Sequence, residues 1–360
     1  MRELIICEAI PFGYGPAAIL LTLLQELHEK YDIIVASSGS TYDFFRRTSY
    51  KTVYVDSYDV LEIREFLYSF PQEISAVISV ENERFLYAAH PIGIKTIYVD
   101  LFEFIWDTSE KYMPFADRYV IYTLFENETI RKRLKDKGAY LITPKVPFLD
   151  QEMKKDYFLL HIGGLNSKHI SSDYLASYAK YIILFSNELE KRYNKKIIII
   201  TSYCLFEFLK NNLCKSSMIE LAYDIPYRDF KMMVSECSKY LTTPGIHSVL
   251  LGLMNKKEIH ILFPSNYTQC IQLRGFCTLF NYNLSNSFAL SADIESMKEK
   301  DGLTVVHENI KTFDTSNIEK HVEEVIGSRF QSIDLTKNHP DYFDDFPSIV
   351  NDMVIGHPLK

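Results

Sequence analysis

The stretch from residue 238 to residue 276 constrains the fold of this chain more than any other. A short apolar run ends at Leu241, the turn TTPG follows at 242–245, and apolar residues then recur at helical spacing. A second apolar run at 259–263 ends in PSN, and another helical pattern follows it. The stretch therefore predicts strand, tight turn and helix twice in succession, which is the repeating unit of a parallel α/β sheet.

The first of these turns is predicted to bind phosphate. It follows a parallel strand, and ligands of such sheets bind beyond the carboxyl ends of the strands. Proline fixes φ and glycine permits positive φ, so the chain can bend sharply and bring backbone N–H groups to a helix start. The residues predicted around this seat are Thr243, Pro244, Gly245, His247 and Ser248. A purely structural turn with a capped helix is the alternative interpretation, and it stays open.

The second turn adds two amide side chains. Asn266 and Gln269 are about one helical turn apart and are predicted to face the same ligand. Because a side-chain amide both donates and accepts hydrogen bonds, the pair is suited to clamp a sugar or a diphosphate.

Apolar, β-branched runs alternate with helical patterns along most of the chain, in two series. In the second series the patterns predict a helix at 172–193, a strand at 196–201, a helix at 227–236 and, near the end, a strand at 303–306. Proline and charged residues interrupt the pattern at 143–156, where we expect the interdomain linker. The length of 360 residues suits two domains, each able to bury its own core. We therefore predict an α/β protein with two doubly wound, Rossmann-like domains facing a central cleft, at 1–146 and 147–335. A final segment, 336–360, is predicted to pack back toward the N-terminal domain.

Composition limits the partners and the compartment. A formal net charge of −8 argues against nucleic acid held by phosphate contacts, although backbone amides can still bind a nucleotide. The six cysteines form no CxxC pair and no zinc-ligand spacing, which favours reduced thiols in a cytoplasmic protein. The first apolar run is too short for a signal peptide, and no stretch has the length of a membrane span.

The loop after the first predicted strand, AIPFGYGPAA at 9–18, contains two glycines. Gly13 and Gly15 match part of a dinucleotide fingerprint, but the third glycine is missing. No acidic residue obviously ends a second strand where it would bind a ribose. The loop is therefore a poor nicotinamide site.

Two carboxylates are candidates for proton transfer. Glu8 and Asp100 each end an apolar run expected to be a central strand, so both are predicted at the carboxyl edge of the first sheet. Either suits a general base, although an acidic residue in this position is often only a helix cap. Tyr14, Phe102 and Trp106, the sole tryptophan, are predicted to stack on an acceptor ring such as a pyrimidine. Burial in a core or an interface is the alternative for these aromatic residues.

Four patches resemble one known family. They are FGYGPAA at 12–18, VDLFEFIW at 99–106, IGGLN at 162–166, and, in the stretch 238–276, TPGIHS together with FPSNYTQ. Their order and spacing resemble GT-B glycosyltransferases, and among these cytosylglucuronic acid synthase and its uncharacterised relatives. Two positions depart from the family pattern, because His247 stands where a hydroxyl residue is common and Ser265 where a proline is common. The identity of the sugar is therefore left open.

This resemblance implies a metal-independent glycosyltransferase. The second domain would bind a nucleotide sugar of UDP type, and the first domain would bind a small acceptor such as a pyrimidine base. A uronic acid is one sugar that the resemblance suggests. No cofactor is implied beyond the nucleotide sugar itself. The resemblance implies that four glycines and one amide bind the donor together with residues of the two turns. They are Gly13, Gly15, Gly163, Gly164 and Asn166.

Two other functions remain open from the sequence. A nucleotide-sugar hydrolase or epimerase would use the same donor site with a second acid or base, for which Glu8 and His247 are candidates. A catalytically silent protein would only bind the nucleotide sugar. The acceptor, the oligomeric state and the choice between inversion and retention are not predicted.

Overall fold

The computed structural model describes residues 2–70, 73–125, 128–143, 155–165, 170–213, 216–280, 294, 297–328 and 344–355. The chain divides into two compact units. Unit 1 comprises Met1–Lys145 together with Asp334–Lys360, and unit 2 comprises Val146–Ile333.

Unit 1 contains a seven-stranded parallel sheet. Its strands are β1 (Leu4–Ala9), β2 (Asp32–Ser37), β3 (Lys51–Tyr54), β4 (Ile74–Val80), β5 (Thr96–Asp100), β6 (Arg118–Tyr122) and β7 (Tyr140–Ile142). They lie in the order β3-β2-β1-β4-β5-β6-β7. Every residue of β1 is buried, as expected for a central parallel strand covered on both faces.

Helices connect these strands. They are α1 (Gly15–Gln25), α2 (Gly39–Phe45), α3 (Val60–Tyr68), α4 (Glu83–Ala89), α5 (Glu103–Trp106), α6 (Ser109–Tyr112) and α7 (Glu128–Asp136). One buried cluster joins β1, β2 and β4 to α3 and α4 through Ile6, Ile63 and Phe85. The side-chain oxygen of Asn82 accepts a hydrogen bond from the backbone of Arg84 and thereby starts α4.

Unit 2 contains a five-stranded parallel sheet. Its strands are β8 (Tyr157–Ile162), β9 (Lys196–Thr201), β10 (Ile219–Tyr223), β11 (Lys239–Thr242) and β12 (Ile259–Ile261), in the order β10-β9-β8-β11-β12. Its helices are α8 (Ser172–Tyr193), α9 (Tyr203–Lys210), α10 (Tyr227–Glu236), α11 (Ile246–Met254), α12 (Tyr267–Phe280), α13 (Glu299–Lys311) and α14 (Ile318–Gly327).

The last described helix, α15 (Phe346–Ile355), belongs to unit 1. Just before it, Asp344 exchanges hydrogen bonds with Leu141, its N–H donating to the Leu141 carbonyl and its carboxylate accepting from the Leu141 N–H, each at 2.7 Å. These bonds use backbone groups of the edge strand β7 that would otherwise be open. On α15 itself, Asn351 accepts a hydrogen bond from the Tyr31 hydroxyl.

The predicted fold class is confirmed, because both units contain a doubly wound parallel sheet with helices. One predicted element is wrong: the apolar run at 303–306 is not a strand but part of α13. Val306 and Ile310, four residues apart, are both buried, which is the spacing of a helix face. Burial of this face outweighs the β-propensity of the run. Most of the predicted interdomain linker, 144–154, lies outside the described residues.

Within the described ranges, no helix combines the length and the apolar character that crossing a membrane requires.

Candidate functional site

Each sheet has a point at which the strand order reverses, between β1 and β4 in unit 1 and between β8 and β11 in unit 2. Ligands of doubly wound sheets bind beyond the carboxyl ends of the strands at this point. In unit 2 the two strands that flank it are followed by Gly163-Gly164 and by the TTPG turn. The structure therefore brings together two loops that are about 80 residues apart in sequence.

Thr243 ties these two loops to each other. Its hydroxyl oxygen accepts a hydrogen bond from the N–H of Gly163 at 3.1 Å, and its own N–H donates to the carbonyl of His161 at 3.1 Å. The side chain is 1% exposed. The N–H of Gly163 thus has an acceptor within the protein, and Thr243 holds the glycine loop by this hydrogen bond.

The start of α12 holds the other side of the glycine loop. Ser265 and Gln269 donate side-chain hydrogen bonds to the carbonyl of Gly163, at 2.7 and 3.2 Å, and Asn266 donates to the carbonyl of Gly164 at 3.0 Å. Asn266 and Gln269 are 6% and 5% exposed. In this structure the two amides that were predicted to clamp a ligand bind the glycine loop and fix its conformation.

A glycine at position 164 lets the side chains at the start of α12 lie this close to the loop. Its φ is +85°, in the left-handed region that favours glycine. A Cβ atom there would lie 2.6 Å from polar side-chain atoms of Ser265, Asn266 and Gln269. A larger residue would force these three side chains to move and would break their hydrogen bonds to the glycine loop.

The N-terminus of α11 has no side-chain cap. Gly245 is its N-cap residue. Helix N-termini bind phosphate because the first-turn N–H groups lack partners within the helix and the dipole favours negative charge. Gly245 and Ser248 are partly exposed, whereas Pro244 is buried.

His247 lies in the first turn of α11 and is 7% exposed. Its Nε2 atom is 2.6 Å from the hydroxyl oxygen of Tyr227. Burial lowers the pKa of the imidazole to about 3, with smaller contributions from His161 and Lys231. The ring is therefore neutral near pH 7, and it adds no positive charge to the helix N-terminus.

In unit 1, the Glu8 carboxyl is completely buried. It accepts a hydrogen bond from the Asn82 amide at 3.0 Å, and its second oxygen is 3.2 Å from the Ser79 hydroxyl. That hydroxyl has a single proton and is closer to the Asn82 carbonyl, at 2.7 Å. A protonated Glu8 can then donate to Ser79, and burial raises the pKa of Glu8 to about 8. Both observations favour the neutral acid near pH 7.

Asp100, at the end of β5, is 1% exposed and has several hydrogen-bond donors. One oxygen accepts from the Phe102 N–H at 2.7 Å. The other accepts from the Thr108 hydroxyl at 2.5 Å and from the Tyr119 hydroxyl. Both carboxylate oxygens of Asp100 thus accept hydrogen bonds from groups within unit 1.

Sequence reasoning missed Glu81, which follows β4 at the same sheet edge. It is partly exposed, it accepts a hydrogen bond from the Leu101 N–H, and its carboxyl lies beside that of Asp100. Glu103 is nearby at 4% exposure, and burial raises its pKa to about 7. The rule that selected Glu8 and Asp100, an acidic residue ending an apolar run, also identifies Glu81, which ends the run at 74–80.

The predicted acceptor residues lie at the same edge of unit 1. Tyr14 and Trp106 are 38% and 41% exposed. The Trp106 ring packs edge-on against Phe102 with ring centroids 5.3 Å apart, and the Tyr14 ring lies 6.0 Å from that of Phe44. Tyr14 follows β1 and Phe102 follows β5, so the aromatic residues occupy both sides of the β4 end.

Gly13 and Gly15 lie in the loop after β1 and at the start of α1. Gly13 has a φ of +79° and precedes α1, and Gly15 is the first residue of that helix. Both belong to unit 1, whereas the other donor candidates belong to unit 2. Asn166 lies outside the described residues. Among the residues that are described, no group of three or more acidic, histidine or cysteine side chains could hold a metal ion.

Comparisons with known proteins gave matches in structure only. No protein-family model matches the sequence, and no curated protein matches it either. A UDP-glucose:anthocyanidin 3-O-glucosyltransferase in complex with UDP has a TM-score of 0.55 and 12% identity over 99% of each chain. UGT89C1 from Arabidopsis thaliana, complexed with UDP-L-rhamnose, has a TM-score of 0.54 and 13% identity over 98% of this chain and 100% of that one.

A third solved structure with the same fold is an epimerase. It is the UDP-GlcNAc 2-epimerase of Methanocaldococcus jannaschii in complex with UDP-GlcNAc and UDP. Its TM-score is 0.51 at 14% identity, over 85% of this chain and 99% of that one. Together with the two parallel sheets, these matches show that the chain has the GT-B fold, the two-domain Rossmann-like architecture of UDP-sugar glycosyltransferases.

Proposed function

We propose that this protein is a glycosyltransferase that moves a sugar from a UDP-sugar to a small acceptor. One observation carries the proposal. The glycine loop at 163–164 is fastened by Thr243 and by the start of α12 at the strand-order reversal of unit 2, next to the uncapped N-terminus of α11. This arrangement offers a fixed backbone seat for a diphosphate, in a fold whose solved members include enzymes with UDP or a UDP-sugar bound.

The donor would bind through backbone groups of unit 2. The first-turn N–H groups of α11 would bind the diphosphate, stabilising the negative charge that develops as UDP departs. His247 would contribute a neutral imidazole, and the partly exposed Ser248 a hydroxyl group. No metal ion and no further cofactor takes part in this proposal, since the helix N-terminus supplies the positive end of a dipole.

The acceptor would bind to unit 1. Tyr14, which follows β1, and Trp106, which follows β5, expose aromatic surface at the sheet edge where β4 and β5 end in carboxyl groups. A flat acceptor such as a pyrimidine base can stack on such rings. The choice of a pyrimidine acceptor and of a uronic acid as the sugar rests on the sequence resemblance.

The first experiment is a thermal-shift panel with UDP, CMP, GDP, NAD and several UDP-sugars, each with and without EDTA. A ligand at one hundred times its dissociation constant stabilises by about 2.7 kcal/mol. We expect UDP or a UDP-sugar to raise the midpoint and NAD to leave it unchanged. If NAD alone raises it, or if no nucleotide does, the donor assignment is wrong.

Turnover then separates transfer from the alternatives. UDP-glucuronic acid, UDP-glucose and UDP-GlcNAc are each incubated with and without cytosine, and released UDP and sugar products are measured. Release that depends on the acceptor supports transfer. Release without an acceptor, or conversion of the sugar while UDP remains attached, indicates a hydrolase or an epimerase. Binding without any turnover indicates a silent binding protein.

A further inference from the structure

Glu81 has a strained backbone that no helix end explains. In the described part of unit 1, two non-glycine residues have positive φ, Asp107 at 47° and Glu81 at 61°. Asp107 is the C-cap residue of α5, a usual place for the left-handed conformation. Glu81 instead follows a strand. A residue with a Cβ atom adopts this conformation at a cost in free energy, and such positions concentrate at functional sites.

Glu81 lies at the reversal point of the unit 1 sheet. It directly follows Val80, which pairs with Ala9 of β1 on one side and with Val99 of β5 on the other. Its N–H donates to the carbonyl of Val99 at 3.1 Å, which extends the strand pairing to the turn. Unlike Glu8 and Asp100, which are 0% and 1% exposed, Glu81 has solvent-accessible surface.

The neighbouring carboxyl of Asp100 suits Glu81 to accept a proton. Desolvation and then the negative charge of Asp100 raise the pKa of Glu81, whereas the hydrogen bond that Glu81 accepts from the Leu101 N–H lowers it. Asp100 in turn accepts hydrogen bonds from the Phe102 N–H and from the hydroxyls of Thr108 and Tyr119. A fixed negative charge beside a carboxyl increases the proton affinity of that carboxyl.

We propose that Glu81 is the general base that takes the acceptor proton, and that Asp100 positions and tunes it. This inference rests on the proposed glycosyl transfer. In the reaction step, the acceptor O–H or N–H proton moves to the Glu81 carboxylate, and the acceptor atom forms a bond to the anomeric carbon. The bond from that carbon to the β-phosphate oxygen breaks, and its electron pair leaves with UDP.

The surroundings of Glu81 define its pH dependence. The titratable groups that face the Glu81–Asp100 pair are Tyr98 from β5, Tyr119 from β6 and Glu103 from α5. Although the residue is partly exposed, desolvation of its carboxyl group, and next the charge of Asp100, raise the pKa of Glu81 well above its usual range. Because a base must be deprotonated, the rate of transfer should increase with pH through a value above that of an ordinary carboxyl group.

The test uses the full chain, UDP-glucuronic acid, UDP-glucose and UDP-GlcNAc as donors, and cytosine or water as acceptor. Glu81→Gln keeps a side-chain oxygen for the Leu101 N–H but cannot accept a proton. We expect its kcat for UDP release to fall about 100-fold or more, with the UDP-induced thermal shift unchanged. Glu83→Gln, two residues away on α4, is the matched control and should keep the wild-type rate.

Two further variants separate a catalytic role from a structural one. Glu81→Gly adopts positive φ readily, so it should fold and be inactive, and added formate should restore part of the rate. Asp100→Asn removes the neighbouring charge, so it should move the rising limb of the pH profile to lower pH. A merely structural role predicts no rescue by formate and no shift of the profile.

The outcomes are distinguishable. Wild-type turnover retained in Glu81→Gln overturns the role of Glu81 and leaves the proposed function intact. Abolition of turnover at every pH in Asp100→Asn, with Glu81→Gln still active, assigns the base to Asp100 instead. A wild-type chain that releases no UDP from any of these donors overturns the proposed function, and the role of Glu81 with it.

Discussion

The side-chain amide of Asn266 donates a hydrogen bond to the backbone carbonyl of Gly164 at 3.0 Å, joining the start of α12 to the loop after β8. The same amide's oxygen accepts from the Gln269 N–H at 2.9 Å and caps α12. One side chain thus fixes both a helix start and the glycine loop. The conformation of the loop therefore depends on residues that follow it by about 100 positions.

Replacing Gly164 by alanine should destabilise unit 2. The new Cβ atom would lie 2.6 Å from three polar side-chain atoms, and overpacking of this kind costs about 1–3 kcal/mol. The positive φ adds about 1–2 kcal/mol. The free energy of unfolding in urea measures the sum. Gly138→Ala is the control, since Gly138 has a φ of +90° and no atom within 4 Å of its Cβ position. Equal losses in the two variants would contradict the crowding at Gly164.

Replacing Thr243 by valine should loosen the junction of the two unit 2 loops. Valine matches the shape of threonine but cannot accept the hydrogen bond from Gly163. Because Gly163 is partly exposed, the loss should be at or below the low end of the about 1–3 kcal/mol that a buried unsatisfied N–H costs. We expect lower stability in urea and weaker binding of UDP in a thermal-shift titration. Thr243→Ser, which keeps the hydroxyl, should stay closer to the wild-type values. Unchanged UDP binding in the valine variant would argue that the junction does not position the donor.

Replacing Gly245 by aspartate tests the anion site without disturbing the fold. Aspartate is a preferred N-cap residue, and the Cβ position at Gly245 has room, with Ser248 Oγ nearest at 3.7 Å. The helix should therefore keep or slightly gain stability, while the added negative charge repels a diphosphate. UDP affinity should fall about tenfold or more, which corresponds to about 1.4 kcal/mol. Gly245→Asn supplies a neutral cap, so comparable losses in both variants would exclude a role for charge.

The stability of unit 2 should fall in acid because it buries neutral histidines. Burial lowers the pKa of His161, His260 and His321 to about 4 and that of His247 to about 3. The unfolded chain binds more protons than the folded one below about pH 6.5. The free energy of unfolding should therefore decrease as the pH falls from about 6.5 to about 4. Hydrogen exchange of β8 to β12 at several pH values, corrected for intrinsic rates, measures this change.

The free energy of unfolding of unit 1 should show the opposite pH dependence over part of the same pH range. Burial raises the pKa of Glu8 to about 8 and that of Glu103 to about 7, from ordinary values near 4.5. Here the folded state binds more protons, so stability is lost as the pH rises from about 4.5 to about 8. Exchange of β1 to β7 should accordingly be slower at pH 6 than at pH 8 after correction. Glu8→Gln should reduce the slope, and slopes of the same sign in both units would contradict the two burial patterns.

Local patterns in the sequence determined much of the fold. The long helix α8, the strand β9 and the helix α10 have the predicted bounds, because uninterrupted apolar runs and helical spacing report directly which residues are buried. The two turns predicted in the stretch 238–276 also follow strand ends in the structure. The one wrong element, the strand at 303–306, shows that an apolar run of four residues fits either a strand or a buried helix.

Only the tertiary structure decided which residues meet. Periodicity gives the buried face of each element, but strand order depends on contacts between distant residues, such as Thr243 with Gly163 and Asn266 with Gly164. Through those contacts the amides of Asn266 and Gln269 hold the glycine loop, and their binding of a donor stays a prediction. They also placed Glu81 beside Asp100, because β4 lies between β1 and β5 in the sheet. The sequence by itself determined the elements and the loops between them, whereas packing determined the chemical environment of each side chain.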